Sequence, residues 1–146
     1  MQIEISDQPI QFHLHGFSGV VENNRFGEVG FRLMNEMWQV VKSANIATTG
    51  INHWVYLPGG KLFVGVETQG TPSNMNSLEP FEFQLKRYLK HVHIGPYQAL
   101  PQKWRDLKVE LERQGEIIGS PSLEIYGHHC DDPAELETTI LIGLVD

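Results

Sequence analysis

The sequence predicts an α+β fold: two β-α-β-β modules form one mainly antiparallel, curved sheet with two helices on one face. Two observations predict it. Segments with strand periodicity and segments with helix periodicity alternate in the same order in both halves of the chain. A pair of histidines two residues apart, followed by a glycine and an aromatic residue, occurs at residues 13–17 and again at 91–97. Neither half could enclose a core alone, so we expect joined sheets, an internal duplication and a ligand groove on the face opposite the helices.

The first module is expected to span residues 1–68. Its helix is predicted from apolar residues at helical spacing, among them Phe26, Leu33 and Met37. A turn at 58–60, Pro-Gly-Gly, separates two segments rich in β-branched and aromatic residues and predicts a hairpin. The predicted elements are a short strand at 1–6, a strand at 11–17, a helix at 26–43, and strands at 51–57 and 61–68.

A polar linker is predicted at 69–80, and the second module at 81–146. The linker contains glycine, proline, asparagine and serine without any periodicity. In the second module, Leu100, Trp104 and Leu107 contribute to the apolar stripe of a helix that ends near Gly115. The remaining predicted elements are strands at 81–92, 123–127 and 136–144. We therefore treat the chain as one domain of two modules.

Composition and charge exclude several classes of function. The chain has 146 residues, which suits one domain, and its 11 basic and 18 acidic residues give a net charge of -7. With no basic cluster to contact phosphates, we expect no direct nucleic-acid binding. No apolar run approaches the roughly 18 residues that a membrane span needs. A single cysteine, Cys130, and the lack of a secretory signal at the N-terminus predict a cytoplasmic protein.

Motifs in the second half resemble a known family. They are residues 93–97 (His-Ile-Gly-Pro-Tyr), 104–107 (Trp-Arg-Asp-Leu), 121–126 (Pro-Ser-Leu-Glu-Ile-Tyr), 132–133 (Asp-Pro) and 135–140 (Glu-Leu-Glu-Thr-Thr-Ile). Together they resemble the GyrI-like small-molecule-binding superfamily, which includes effector-binding domains of AraC-type and MerR-type multidrug-responsive transcription regulators and gyrase-inhibitory proteins. The resemblance implies a tandem β-α-β-β fold, in agreement with the duplication. The first half matches only in layout, and the loop at 127–131 is longer than the family's usual one. Without a helix-turn-helix segment, we expect a stand-alone domain.

Glu124 is the principal candidate for a functional residue. Strand alternation places Glu124 and Tyr126 on one face, and Leu123 and Ile125 on the other. We expect the aliphatic face to pack on the helices, so that Glu124 and Tyr126 point into the groove. The resemblance implies an acidic residue here, at the base of an aromatic drug-binding pocket. A carboxylate in such a pocket favours a lipophilic cation. The alternative is an exposed glutamate on a solvent-facing sheet.

Aromatic residues are expected to complete the pocket. The duplication places Trp54 opposite Glu124, Tyr56 shares the face of Trp54, and Tyr97 opens the second helix. Trp38 and Trp104 lie on the helical stripes, and we interpret them as core residues. The predicted ligand-binding residues are Glu124, Tyr126, Tyr97, Trp54, Tyr56, Phe17 and His93.

Histidine pairs raise the possibility of a metal site. His13 and His15, like His91 and His93, could each share a strand face, and the loop 128–132 (His-His-Cys-Asp-Asp) is rich in ligand types. However, the spacings match no zinc pattern, so we expect no metal and no cofactor. The chain also lacks a nucleophile elbow, a phosphate loop and a dinucleotide fingerprint.

Three hypotheses for function follow, in order of preference. The first is a domain that binds amphipathic, cationic or aromatic small molecules. The second is a hydrolase of reactive electrophilic small molecules, with Glu124 as general base and Tyr126 or Tyr97 as proton donor. The third is a protein-interaction role such as topoisomerase inhibition. The residues signal binding more clearly than catalysis.

Overall fold

In the part of the chain that the structure describes, eight antiparallel strands form one curved, unclosed sheet that carries two α-helices. This computed structural model describes residues 2–69, 77–127 and 130–146. The predicted α+β class and the mainly antiparallel curved sheet are confirmed. Among the described residues, no helix combines the length and the apolar character that crossing a membrane requires.

Each half contains the predicted β-α-β-β order and, before it, one further strand. The first half consists of β1 (Glu4–Ser6), β2 (Ile10–Val20), α1 (Phe26–Ser43), β3 (His53–Leu57) and β4 (Lys61–Val66). The second half consists of β5 (Glu79–Leu85), β6 (Tyr88–Ile94), α2 (Leu100–Arg113), β7 (Ile118–Tyr126) and β8 (Glu137–Leu144). Short 3-10 helices lie at Tyr97–Ala99 and Pro133–Glu135.

Two predicted boundaries differ from the structure. The single strand expected at 81–92 is two strands, β5 and β6, because the chain turns at residues 86–87. The strand β5 begins at Glu79, inside the predicted linker 69–80. Residues 70–76 of that linker lie outside the described residues.

The strand order joins the two halves tightly. Along the sheet it is β1-β6-β8-β7-β3-β4-β2-β5. The modules meet where β3 pairs with β7, and this register places Trp54 beside Glu124. The first strand of each half crosses over, since β1 pairs with β6 and β5 pairs with β2. Each module therefore completes the sheet of the other.

Both faces of the sheet are buried. On the face without helices, the curvature gathers apolar side chains from β2 to β8 in one cluster, which includes Phe12, Leu85 and Leu123. The other face is covered by α1 and α2, and we call it the helix-covered face. The expectation that the helices pack on the Leu123 face is wrong, because Glu124 shares the helix-covered face instead. The reason is that the curled sheet buries the Leu123 face against itself, without help from a helix.

Candidate functional site

A cavity of about 920 Å³ lies between the two helices, above β3 and β7. It is lined by residues of both modules. The sheet contributes Trp54, Tyr56, Glu124 and Tyr126, α1 contributes Phe26, Phe31 and Met34, and α2 contributes Leu100, Trp104, Arg105 and Lys108. The groove expected on the opposite face is thus found on the helix-covered face, because that is where the two helices stand apart over the junction of the modules.

Glu124 is a buried carboxyl group that accepts three hydrogen bonds. Its side chain is only 4% exposed. The hydroxyl groups of Tyr56 and Tyr126 donate to Oε1 at 2.6 and 2.7 Å. The Trp104 indole Nε1 donates to Oε2 at 2.7 Å. The donors come from β3, β7 and α2, so the carboxyl group links both modules and a helix. The alternative of an exposed glutamate does not describe this residue.

The two tyrosines remain protonated donors. Burial, followed by the nearby charge of Glu124, raises the pKa of the Tyr56 hydroxyl well above its usual value. The same causes raise the pKa of the Tyr126 hydroxyl. A phenolate next to a buried carboxylate would add a second unpaired negative charge at low dielectric. The site therefore holds one acidic group and three neutral donors.

Aromatic rings enclose this carboxyl group. The Trp54 ring meets the edge of Tyr126 with 5.5 Å between centroids, and Tyr97 meets Tyr126 at 5.4 Å. On the other side, Tyr56 and Trp104 are in edge contact at 5.7 Å. These edge-to-face contacts hold the rings in defined orientations. These rings form an aromatic wall around the buried Glu124 carboxyl group.

The structure brings together five of the seven predicted ligand-binding residues. Trp54, Tyr56, Tyr97, Glu124 and Tyr126 all line the cavity. Phe17 and His93 do not line it. Phe17 packs into the core beneath α1, together with Met34 and Trp54. His93 is 8% exposed, and its Nε2 lies 3.4 Å from the Pro96 carbonyl oxygen. Both residues lie on the same face of the sheet as the cavity, but other parts of the chain cover them. A position on that face is therefore not sufficient for a side chain to line the cavity.

Trp104 has a role in the cavity that the sequence reasoning missed. It packs against the core as expected, but it also lines the cavity and binds Glu124. Trp38 has a similar bond, from its Nε1 to Oδ1 of Asn52 at 2.8 Å. The chemistry of tryptophan could have indicated this bond in advance, because the N–H of an indole that packs into a core usually needs a hydrogen-bond acceptor.

The histidine pairs do not form a metal site among the described residues, which contain no group of three or more potential ligands. His13 instead lies 3.0 Å from the carboxylate of Glu82. His128 and His129 of the ligand-rich loop lie outside the described residues. The Cys130 thiol donates to the Asp132 carbonyl oxygen at 3.3 Å.

Comparison with known proteins shows that the chain shares its fold with several solved structures. No family model and no curated protein matches the chain. Among solved structures, it is similar to the EcmrR C-terminal domain, with a TM-score of 0.78, 16% identity, and coverage of 100% of this chain and 99% of that one. It is also similar to SAV2435 bound to tetraphenylphosphonium, with a TM-score of 0.68, 16% identity, and coverage of 99% and 94%. A hydrolase from Listeria innocua matches with a TM-score of 0.54, 9% identity, and coverage of 95% and 92%. The chain therefore has the fold of GyrI-like effector-binding domains, as the motifs of its second half predicted.

Proposed function

We propose that this protein binds small lipophilic, aromatic cations in the cavity, with Glu124 as the anionic contact. One observation carries the proposal: the Glu124 carboxyl group is buried among aromatic rings, and its three hydrogen bonds within the described residues all come from neutral donors. No Lys, Arg or His among the described residues forms an ion pair with it.

The physical argument concerns a buried charge without a counter-ion. Desolvating a carboxylate is costly, and the hydrogen bonds offset only part of that cost. A cation in the cavity would interact with the carboxylate at low dielectric and with the faces of the surrounding rings. The likeness to a structure that contains tetraphenylphosphonium supports a small-molecule ligand of this kind. By the same resemblance, the ligand would be an effector of transcription regulation.

Hydrolysis is less well supported by the geometry. One fold neighbour is described as a hydrolase. Here, however, hydrogen bonds from described residues occupy three of the about four lone-pair positions of the Glu124 carboxylate, two on Oε1 and one on Oε2. Only the remaining position on Oε2 could face water, and the Tyr126 hydroxyl donates to Glu124 itself. A general base needs a free lone pair facing water, and a proton donor needs to face the substrate. Binding requires no such rearrangement.

The test replaces Glu124 by glutamine and measures two matched ligands. In Glu124→Gln, the tyrosine hydroxyls can accept from the new amide group while its oxygen accepts from Trp104, so we expect the fold to be kept. Affinity for the cation methyltriphenylphosphonium should fall about 10- to 100-fold, the loss of a charged contact of roughly 1–3 kcal/mol. Affinity for neutral triphenylphosphine oxide should stay within about twofold, since it gains no charge attraction.

The control is Glu36→Gln, which makes the same change of charge at an exposed position of α1 outside the cavity. It should leave both affinities unchanged. Isothermal titration calorimetry measures both ligands, and a thermal melt verifies folding. Equal affinity of the parent and Glu124→Gln for the cation would refute the proposal.

A further inference from the structure

The two helices contribute different charges to the wall of the cavity. The α2 side contributes two basic residues, Arg105 and Lys108, to the lining. The α1 side contributes no charged residue to it; its lining residues are Phe26, Gly27, Phe31 and Met34. Beneath both sides lies the buried Glu124. A ligand in the cavity therefore meets an acid below, an apolar wall on one side and a basic wall on the other.

Neither basic group forms an ion pair with a described acidic side chain. The Lys108 ammonium lies over the Trp104 ring, 5.7 Å from its centroid. The Arg105 guanidinium donates to the side chain of Gln102 at 2.8 Å. Because the two residues are three apart on α2, they project from one side of the helix. Their charges thus remain available at the rim of the cavity.

Trp104 connects the basic rim to the buried acid. Its ring nitrogen donates to Glu124, while its ring carries the Lys108 ammonium. The buried acid and one basic group of the rim therefore both contact the same indole ring. An aromatic molecule with a cationic centre and an acidic substituent carries charges of the complementary sign.

We propose that the preferred ligands are aromatic zwitterions, whose cationic part faces Glu124 and whose anionic group faces Arg105 and Lys108. This inference rests on the proposed function and specifies its ligand class. A simple cation is attracted by Glu124 and repelled by Arg105 and Lys108, whereas a zwitterion can be attracted by all three groups. Exposed charge pairs contribute modestly, so we expect a preference of roughly 3- to 10-fold for the zwitterion at low salt. The preference should shrink as ionic strength rises.

The test uses two dyes with the same aromatic cation. Rhodamine 110 carries a free carboxylate, and rhodamine 123 is its methyl ester. Fluorescence anisotropy with the parent protein should give tighter binding for the acid than for the ester. The double variant Arg105→Gln/Lys108→Gln should abolish this preference, by weakening binding of the acid and strengthening binding of the ester. The control Lys42→Gln/Lys86→Gln removes the same charge at two exposed positions outside the cavity and should keep the preference.

The outcomes separate the two proposals. If the ester binds in a Glu124-dependent way but the acid binds no tighter, the zwitterion inference is wrong and the cation-binding proposal stands. The inference is also wrong if the preference survives the double variant, or if the charge-matched control loses it equally. If neither dye binds while methyltriphenylphosphonium binds in a Glu124-dependent way, the inference is wrong and the cation-binding proposal stands. A preference that is present in the parent, kept in the control and lost in the double variant supports the inference.

Discussion

Replacing Gly30 by alanine should displace the wall of the cavity. Gly30 is buried on α1, and a Cβ added there would lie only 2.2 Å from Cζ3 of Trp54 and 2.3 Å from Cη2. Since carbon atoms in contact are about 3.5–4.0 Å apart, the indole or the helix must move by roughly 1.5 Å. The indole has little room to retreat, because Phe31 and Tyr126 both meet it with 5.5 Å between ring centroids.

The free energy of unfolding of Gly30→Ala changes through two opposing effects, of which the gain in helix propensity is shared with a glycine-to-alanine change elsewhere in the helix. Overpacking of this kind costs about 1–3 kcal/mol of the free energy of unfolding, while alanine gains up to about 1 kcal/mol over glycine in helix propensity. Gly27→Ala provides the matched control, because a Cβ at that position of α1 meets nothing within 4 Å. We therefore expect Gly30→Ala to be less stable than Gly27→Ala by about 1–3 kcal/mol.

Urea denaturation followed by tryptophan fluorescence measures both variants, and titration with tetraphenylphosphonium reports the cavity. Affinity should fall in Gly30→Ala, because Trp54 forms part of the lining. Equal stability of the two variants would show that the space around Trp54 adapts freely. The close packing of Trp54 on Gly30 would then not hold the cavity wall in place.

Two further predictions concern hydrogen bonding and pH. Tyr56→Phe removes one donor from Glu124 and should lower the free energy of unfolding by about 1–3 kcal/mol in urea denaturation, whereas Tyr97→Phe, whose hydroxyl bonds to no described residue, should change it little. Burial lowers the pKa of the His53 imidazole, and the Ile51 carbonyl and Glu67 only partly oppose this. The unfolded state therefore takes up a proton first, and stability should fall as pH drops below about 6.5, in thermal melts across pH 5–8. His53→Gln should reduce this slope, leaving the contributions of His15 and His91, whose pKa values burial also lowers. An unchanged slope would contradict the assignment.

Local patterns determined much of this protein. Apolar residues at helical spacing gave α1 its predicted bounds, 26–43, because one buried stripe with Leu33, Met37 and Val41 repeats along the helix. Strand alternation correctly placed Glu124 and Tyr126 on one face, since successive side chains of a strand point to opposite sides. The repeated order of elements also placed Trp54 opposite Glu124, as the pairing of β3 with β7 shows.

Only the tertiary structure decided which face the helices cover. Both faces of β7 are buried. The alternation of Leu123 and Glu124 along the strand therefore does not indicate which of the two faces packs on α2. The choice depends on the curvature of the whole sheet, which involves strands from both ends of the chain. The exchange of β1 and β5 between modules, and the bond from Trp104 to Glu124, likewise join residues distant in sequence. No periodicity within a single segment encodes such contacts, because their energy depends on how the two modules pack together.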